Sequence, residues 1–483
     1  MSPPKGLDDP SFLNVASDHI DILGLFTPLN QQVEMQKWLS SPGKTYNPQF
    51  VYDESIIRAN LNRAKKFRKS LPKIAERYAS SSDWRSILTY DFLTSLRTDL
   101  DATISLLDAL RKNSAIDHDC ALKATNQLFG EVTKDEYNLA VDLAYQPALD
   151  VFQAHLLNSK DRYSFSPDKF ETVLHSYLHD FNGRLSEAEA AILRGKQINE
   201  KQIDPILEQV MTYMFNHSDG EESVQIILQK ISDTDHFGIM PHPLEAFTYE
   251  IHKPFVANMP DGKLDALTFL QIIAHEINTH LRVMISTETL TRSASPYFLP
   301  GILMRGQRSL SIEGFAVLNG DAYLENSEGD VLEALTIIVP EYIRQGHNFA
   351  ETAKYIYEIY DLDPDINDPA IHHTVWTILQ SFIGARDTSA HSGYAFPYHQ
   401  VYLLGVMRIL KELSRVDKNT FEDPLSLMRY SELPLDMINT INHIEHDLGE
   451  KLVKDPFEIW DFANFNPSIP DPASYAKQLL LEL

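Results

Sequence analysis

The stretch His275-Glu276-Ile277-Asn278-Thr279-His280 places two histidines around a glutamate in a segment that otherwise has the composition of a buried helix. Apolar residues recur at three-to-four spacing across residues 264–285, which predicts a single helix there. Imidazole nitrogen is a good ligand for zinc, and a neighbouring glutamate can act as a general base. The stretch therefore predicts a metal-binding helix; the competing interpretation is an ordinary core helix whose polar residues face solvent.

The spacing of the two histidines has a structural consequence. They are five residues apart, whereas the familiar zinc helix H-E-x-x-H has them four apart on one face. On a regular α-helix five residues turn about 500°, which leaves the two imidazoles about 140° apart. A single π-type bulge within residues 276–279 would return both to one face, and such bulges concentrate at functional sites. The metal interpretation therefore predicts a local helix defect between the histidines.

A third candidate ligand lies on a second apolar helix. Glu313 belongs to the stretch Ser311-Ile312-Glu313-Gly314-Phe315-Ala316-Val317 and follows His280 by 33 residues. Zinc hydrolases with a ligand set of two histidines and a glutamate take the glutamate from a helix packed against the first. Gly314 has no side chain, which permits two helices to approach closely. The gap between the two stretches is therefore suitable for a metal site.

The two stretches resemble the paired H-E-I-x-T-H and E-G-x-A motifs of the QEGLA-motif family, which includes the microtubule-associated tyrosine carboxypeptidases and many uncharacterised bacterial proteins. The resemblance implies a zincin-like catalytic core that binds one zinc ion per chain. It further implies that His275, His280 and Glu313 are the zinc ligands and that Glu276 is the catalytic base.

The resemblance covers more of the chain than these two motifs. Asn47-Pro48-Gln49-Phe50 is similar to the family's N-terminal N-P-x-F segment, and residues 386–405 are similar to its R-x-T…G…Y-L-x-G block. The sequence departs from the family pattern at Asn278, Val283, Ile312, Phe315, Tyr398 and His399. Because of these departures, the tubulin-tail substrate is not carried over to this chain.

These observations together predict a zinc metallopeptidase, and the resemblance further implies a metallocarboxypeptidase that removes C-terminal residues from a peptide or protein. Glu276 would assist the attack of a zinc-bound water and pass its proton to the leaving amine. Tyr402, at a family-matching position, is the predicted donor to the developing oxyanion. The alternatives are an endopeptidase or amidohydrolase with the same site, and a helical scaffold or binding protein that keeps the fold without turnover.

A carboxypeptidase also needs a cation for the free carboxylate of its substrate, which an arginine can bind bidentately. Several arginines lie in or beside the segments that connect the motifs, and a polar segment between two strong helices offers further polar side chains, as functional loops do. The substrate-binding candidates are Arg282, Arg305, Arg308, Arg386, Tyr394 and His399. For any single one of them, an ordinary surface or core role is the competing interpretation.

The remaining sequence predicts a mainly α fold with a small β-sheet. Residues 1–215 carry long helical patterns with almost no strand signal. Residues 224–228 and 246–252 are rich in branched and aromatic side chains, which predicts strands shortly before the metal helix. An edge strand there could accept an extended substrate; the alternative is a purely structural hairpin. We expect a helical N-terminal region at 1–215 and a catalytic region at 216–483, packed as one body.

Composition limits the possible partners. A chain of 483 residues that is 43% hydrophobic can bury a large core. Its net charge of −26 argues against nucleic acid and anionic membranes as partners, and also against strongly acidic polypeptide substrates. The single cysteine, Cys120, excludes an intramolecular disulfide. Neither a cleavable signal peptide nor an apolar run of about 18 residues is evident, so we expect a cytoplasmic protein.

Overall fold

The computed structural model describes residues 27–76, 78–80, 84–111, 118–145, 185–216, 225–229, 238–241, 248–252, 263–281, 283–285, 307–321, 328–389, 394–415, 443–444, 446–449 and 472–483. Within these residues the protein is mainly helical and has a two-stranded and a three-stranded sheet. The prediction of a mainly α fold with a small β component is therefore confirmed. None of the helices in this part of the chain has the length and apolarity of a membrane span.

The described helices, in chain order, are α1 Gln31–Leu39, α2 Glu54–Ala75, α3 Trp84–Arg111, α4 His118–Phe129, α5 Lys134–Tyr145, α6 Glu187–Gly195, α7 Glu200–Asn216, α8 Ala266–His275, a π-helix at Glu276–Leu281, α9 Gln307–Asp321, α10 Glu328–Arg344, α11 Phe349–Ile359, α12 Pro369–Leu379, α13 Val401–Arg415 and α14 Pro472–Glu482. Short 3₁₀ helices occur at Pro42–Lys44, Gln380–Phe382 and Tyr398–Gln400. The strands are β1 Gln197–Asn199, β2 Gln225–Gln229, β3 Gly238–Pro241, β4 Thr248–His252 and β5 Lys263–Asp265.

Local sequence signals set several helix ends. Ser186 and Asn348 each form a capping box with a glutamate three residues later, so the side chain of each partner bonds the backbone N–H of the other. Gly130, with φ of 88°, ends α4, because a residue without Cβ adopts the left-handed conformation at little cost. Capping side chains and one glycine therefore define these three helix ends.

The predicted helix over residues 264–285 begins two residues too early. Leu264 and Asp265 belong to β5, which pairs antiparallel with β1. Asp265 is extended and its carboxylate accepts a 2.9 Å hydrogen bond from the backbone N–H of Thr268. Aspartate stabilises a helix as the residue before its first turn, so α8 starts at Ala266.

The three-stranded sheet has the order β2-β4-β3, with β2 parallel and β3 antiparallel to β4. The strands predicted at 224–228 and 246–252 are confirmed as β2 and β4, each displaced by one or two residues. The strand β3 was not predicted from the sequence. It has only four residues and ends in Pro241, so it lacks the length over which alternation can be recognised. Within the described residues β3 pairs with β4 alone and forms an edge of the sheet.

Residue contacts divide the chain into two compact units. The first comprises residues 1–159, 302–310 and 326–407, and the second comprises 160–301, 311–325 and 408–483. In the first, α2 packs on α3, and α5 packs on α10. In the second, α8 packs against α6 and α14, and α14 also packs against α7. Each unit takes sequence from both sides of residue 215, so neither coincides with the region 1–215 or the region 216–483.

The first unit is built around buried aromatic rings. Trp38 is fully buried, and its ring lies 5.5 Å from that of Trp376 and 6.3 Å from that of Phe349, measured between centroids. Burying rings of this size supplies a large share of the hydrophobic stabilisation of such a core.

The N-P-x-F and R-x-T segments lie together in the first unit. The backbone N–H of Phe50 donates to the carbonyl of Arg386 at 3.1 Å, and the hydroxyl of Thr388 donates to the carbonyl of Pro48 at 2.7 Å. Two stretches separated by more than three hundred residues therefore form one hydrogen-bonded contact.

Candidate metal centre

The first metal-ligand candidates lie where α8 continues directly into the π-helix Glu276–Leu281. In a π-helix each N–H bonds to the carbonyl five residues earlier, so side chains five apart share a face. The rings of His275 and His280 accordingly lie 4.9 Å apart, measured between centroids. The helix defect predicted between the two histidines is confirmed.

Three of the polar side chains inside the π-helix are buried rather than solvated. Asn278 is 2% exposed, Thr279 1% and His280 8%. The hydroxyl of Thr279 donates to the carbonyl of Ala274 at 3.2 Å, and Oδ1 of Asn278 accepts from the backbone N–H of Ala473 at 3.2 Å. The alternative in which the polar residues of this segment face solvent is therefore wrong for these three positions.

The third candidate ligand reaches the histidines from α9. Oε2 of Glu313 lies 3.6 Å from Nε2 of His275 and 3.6 Å from Nε2 of His280. The helices α8 and α9 approach closely at Gly320, where an added Cβ would lie 3.8 Å from the carbonyl oxygen of Gln271 and 3.9 Å from Cβ of His275. Both distances are ordinary van der Waals contacts, so the two ligand-bearing helices touch at Gly320.

Charge favours an ionised Glu313. Burial alone would raise the pKa of this carboxyl group, but His280 and His275 outweigh that effect and hold its pKa well below the ordinary glutamate value. Once the imidazoles lose their protons, as metal binding requires, the cluster offers one anionic oxygen and two neutral nitrogens to a common point. This is a donor set that zinc prefers.

Glu276 has the opposite electrostatic character. Burial raises its pKa, and Glu313 adds to the rise, while His280, His275 and a hydrogen bond from the backbone N–H of Ile239 oppose it. The net pKa is above the ordinary glutamate value. A carboxylate with a raised pKa is a better proton acceptor near neutral pH, which suits a general base.

The hydrogen bond from Ile239 shows that β3 lies beside the candidate centre. Ile239 pairs with Ile251 of β4 across the sheet, and its own N–H donates to the Glu276 carboxylate. An edge strand next to the metal helix was expected from the sequence, although neither predicted strand is the one that occupies this place.

The three candidate ligands can accommodate a metal ion. Zinc bonds of about 2.0–2.2 Å at tetrahedral angles place pairs of ligand atoms about 3.3–3.6 Å apart. The two nitrogen–oxygen distances of 3.6 Å are at that value, and all three donor atoms lie within 4.8 Å of one another. The side chains of His275, Glu313 and His280 are 24%, 18% and 10% exposed, so the cluster is accessible from one side. No second cluster of this kind occurs among the residues the structure describes.

The predicted substrate-binding arginines have different outcomes. Nη2 of Arg386 forms an ion pair with Oε1 of Glu54 at 3.0 Å, so this guanidinium already has an anionic partner. Arg282 and Arg305 lie outside the described residues. Arg308 lies in the first turn of α9, but its side chain is outside the described part. The assignment of a carboxylate-binding arginine stays a prediction.

The predicted Tyr394, His399 and Tyr402 belong to the first compact unit, whereas the candidate ligands belong to the second. Tyr394 is 3% exposed, and burial raises the pKa of its hydroxyl far above the ordinary value. The rings of His399 and Tyr402 stack with their centroids 6.1 Å apart. The role of Tyr402 toward an oxyanion therefore also stays a prediction.

Comparisons with models of known protein families, with curated proteins and with solved protein structures returned no match for this chain.

Proposed function

We propose that this protein is a zinc-dependent metallopeptidase, and most simply a metallocarboxypeptidase that removes C-terminal residues from a peptide or protein. One observation carries the proposal. A π-helix brings His275 and His280 onto one face, where both imidazoles lie 3.6 Å from the Glu313 carboxylate, with a second carboxylate, Glu276, next to His275 in the chain.

The ion would be held by Nε2 of His275, Nε2 of His280 and a carboxylate oxygen of Glu313. Three protein ligands leave one position of a four-coordinate ion open, which is the pattern of catalytic zinc sites; structural sites use four. When bound, zinc supplies a Lewis acid that lowers the pKa of water and polarises a carbonyl group.

Glu276 is the proposed proton carrier. Its carboxylate accepts a proton from the attacking water as the new carbon–oxygen bond forms, and returns that proton to the amine nitrogen as the carbon–nitrogen bond breaks. The hydrogen bond from the backbone N–H of Ile239 orients the carboxylate. Glu276 is only partly exposed, which limits competition from bulk water.

The neighbouring edge strand supports a polypeptide substrate. β3 pairs with β4 on one side, and the π-helix lies near it. Extended peptides bind many proteins by adding a strand to such an edge, which aligns their backbone. Because the outward N–H of Ile239 is bonded to Glu276 and Pro241 has no N–H, a substrate strand here would bond to the backbone carbonyls of β3. A small amide would gain nothing from this arrangement, so the strand favours a peptidase over an amidohydrolase.

The exopeptidase part of the proposal rests on the resemblance to the tyrosine carboxypeptidases. It needs a cation at the substrate carboxylate, for which Arg282, Arg305 and Arg308 are stronger candidates than Arg386, because Arg386 is paired with Glu54. An endopeptidase with the same zinc chemistry would need no such cation.

The first experiment measures metal content and cleavage together. Zinc per chain is determined by mass spectrometry for the wild type, Glu276→Gln, His280→Ala and His373→Ala, the last being an exposed control histidine on α12. Each protein is then incubated with one peptide library carrying free C-termini and one carrying amidated C-termini. We expect one zinc ion per chain in every protein except His280→Ala. The wild type should remove terminal residues only from peptides with free C-termini. The cleavage rate of Glu276→Gln should be roughly 100-fold or more below that of the wild type.

The possible results separate the alternatives. Stoichiometric zinc without cleavage that depends on Glu276 would favour the scaffold. Equal cleavage of amidated peptides, or cleavage at internal bonds, would favour an endopeptidase. Wild-type protein that binds no zinc would refute the metal site and the hydrolytic proposal with it.

A further inference from the structure

The last helix of the chain, α14, is hydrogen-bonded at its start to the π-helix and at its end to Lys196, whose backbone in turn contacts the first residue of α8. At its start, the backbone N–H of Ala473 donates to Oδ1 of Asn278 in the π-helix. At its end, Nζ of Lys196 donates to the carbonyls of Leu480 and Leu481 at 2.9 and 3.1 Å. The carbonyl of Lys196 also accepts from the N–H of Ala266, the first residue of α8. The helix α14 therefore runs antiparallel to α8 and the π-helix.

Several contacts hold α14 in place independently of Asn278. Ala473, Ala476 and Leu480 are fully buried, and α14 packs on α7 and α8. The ring of Tyr475 stacks on Tyr213 at 4.2 Å between centroids, and Nζ of Lys477 lies 3.2 Å from Oε1 of Glu189. The N–H of Ala473 is thus a donor whose position the surrounding packing determines.

That donor is one of the first N–H groups of a helix, which have no partner within the helix itself. Such groups are satisfied by a nearby side-chain oxygen, most often from the residue just before the helix. Here the acceptor comes from Asn278, which is 195 residues away along the chain. The hydrogen bond therefore joins the fixed start of α14 to the middle of the π-helix.

The π-helix needs such a restraint. π-helical turns are rare in isolation, and the α-helix is the usual state of the same backbone. Relaxation to a regular α-helix would separate His275 and His280 by about 140° around the axis. Asn278 lies two residues before His280, so a bond that holds its side chain also limits movement of the second ligand.

We propose that Asn278 is a positioning residue for the metal centre: its hydrogen bond to the start of α14 holds the π-helix in the form that brings His280 beside His275. This inference rests on the proposed zinc site. The helix α14 contributes no ligand, but through its hydrogen bond to Asn278 it helps to position the metal ligands.

The test compares variants at the two ends of α14. Asn278→Ala removes the acceptor, and Asn278→Asp keeps an acceptor of the same size. Lys196→Met is the matched control, because it releases the opposite end of α14 and leaves the bond at Asn278 intact. For each full-length protein we measure the zinc dissociation constant by chelator competition, the absorption spectrum after cobalt substitution, and the thermal unfolding of the zinc-free form.

We expect Asn278→Ala to weaken zinc binding by roughly 10–100-fold, the range seen when groups that orient metal ligands are removed. Its cobalt spectrum should change, because the two histidines no longer hold the same geometry. Asn278→Asp should restore both properties. Lys196→Met should lower the unfolding temperature of the zinc-free protein but keep the zinc affinity and the cobalt spectrum of the wild type.

Two results would overturn the inference while the proposed function stands. One is wild-type zinc affinity with an unchanged cobalt spectrum in Asn278→Ala. The other is a loss of affinity in Lys196→Met as large as in Asn278→Ala, since general loosening of α14 would then explain both. If Asn278→Ala does not fold, Asn278→Leu removes the acceptor at similar volume and is judged in the same way. If the wild-type protein binds no zinc, both the proposed function and this inference are refuted. If it binds zinc but cleaves no peptide, only the proposed function is refuted.

Discussion

Asn278 and Thr279 are buried polar side chains, and each bonds a backbone group at the π-helix or beside it. A buried polar group that loses its partner destabilises a protein by about 1–3 kcal/mol, so each bond favours this particular backbone form over its competitors. The hydrogen bonds of these two residues, which lie between the histidines, therefore stabilise the π-helical backbone. The same local chemistry places His275 and His280 on one face.

His372, in the first unit, is another buried polar side chain whose hydrogen bonds are satisfied by its neighbours. Its Nε2 donates to the carbonyl of Ile366 at 2.7 Å, and its Nδ1, which must then be the acceptor, receives the hydroxyl proton of Tyr357 at 2.6 Å. The side chain is buried and lies edge-on to Trp38. The neutral ring satisfies both neighbours, and a protonated ring would repel the hydroxyl proton.

We predict that protonation of His372 weakens the fold at acidic pH. Burial lowers its pKa and Lys44 lowers it further, while the hydrogen bond to the carbonyl of Ile366 and the charges of Asp368 and Asp365 only partly oppose them. Above the unfolded pKa of about 6.5 the ring is neutral in both states and contributes nothing. As pH falls below that value the unfolded chain binds the proton first, so stability declines by at most about 1.4 kcal/mol per pH unit. Urea unfolding followed by tryptophan fluorescence at pH 7.0 and 5.5 should show this decline, and His372→Gln should reduce it.

The control for this prediction is the adjacent exposed histidine, His373, on the same helix. His373→Gln should leave the pH dependence of stability unchanged. Equal slopes for the wild type and His372→Gln would show that the ring does not contribute.

The π-helix behaves as a one-residue insertion in a longer helix. Residues 266–275 are α-helical before it, and residues 283–285 are helical again after it. An extra residue accommodated in one wide turn leaves the helix on either side in its original orientation. The H-E-x-x-x-H spacing and the wide turn are therefore two aspects of one feature.

We predict that the candidate centre tolerates removal of one residue in this turn better than addition of one. Deleting Ile277 makes the histidines four residues apart, which a regular α-helix places on one face, so zinc should still bind although a fully buried side chain is lost. Inserting alanine after Glu276 adds about 100° of rotation that the π-helix does not absorb, so stoichiometric zinc should be lost. Chelator competition on both proteins provides the measurement. Full zinc binding by the insertion variant would contradict the role given to the π-helix.

The chain as a whole carries a net charge of −26, and this field acts on any substrate that approaches the centre. Long-range repulsion slows the encounter with acidic peptides, and salt screens it, because the Debye length is about 10 Å at 0.1 M. The overall charge thus argues against acidic polypeptide tails as substrates.

We predict that peptides of equal length and identical C-terminal residue are cleaved at different rates according to their upstream charge. At low salt, kcat/KM for a glutamate-rich peptide should be roughly tenfold or more below that for a lysine-containing one. The ratio should approach one as the salt concentration rises from 50 to 500 mM. A preference for the acidic peptide that persists at every salt concentration would reveal a local basic pocket and would restore acidic tails as candidate substrates.

Features that depend on neighbours in the chain were recognisable from the residues alone. Apolar periodicity predicted the helical character of residues 1–215 and the helices that carry the candidate ligands. The five-residue histidine spacing predicted the π-type defect, and branched and aromatic composition predicted β2 and β4. The start of α8 was predicted too early because the apolar pattern of the helix extends into β5. There the backbone pairs with β1 and is extended rather than helical. The structure also brings Glu313 to the two predicted histidines, although the zinc ion and the catalytic roles stay predictions.

Contacts between distant segments required the folded chain. The bond between Asn278 and Ala473 joins residues 195 apart, the ion pair between Arg386 and Glu54 joins residues 332 apart, and β3 lies at Glu276 through a backbone N–H that any residue except proline would offer. Periodicity and residue spacing indicate the backbone conformation over a few helical turns. They do not indicate which polar groups pair across the core, because many arrangements of the same helices have the same local pattern and only their packing selects one.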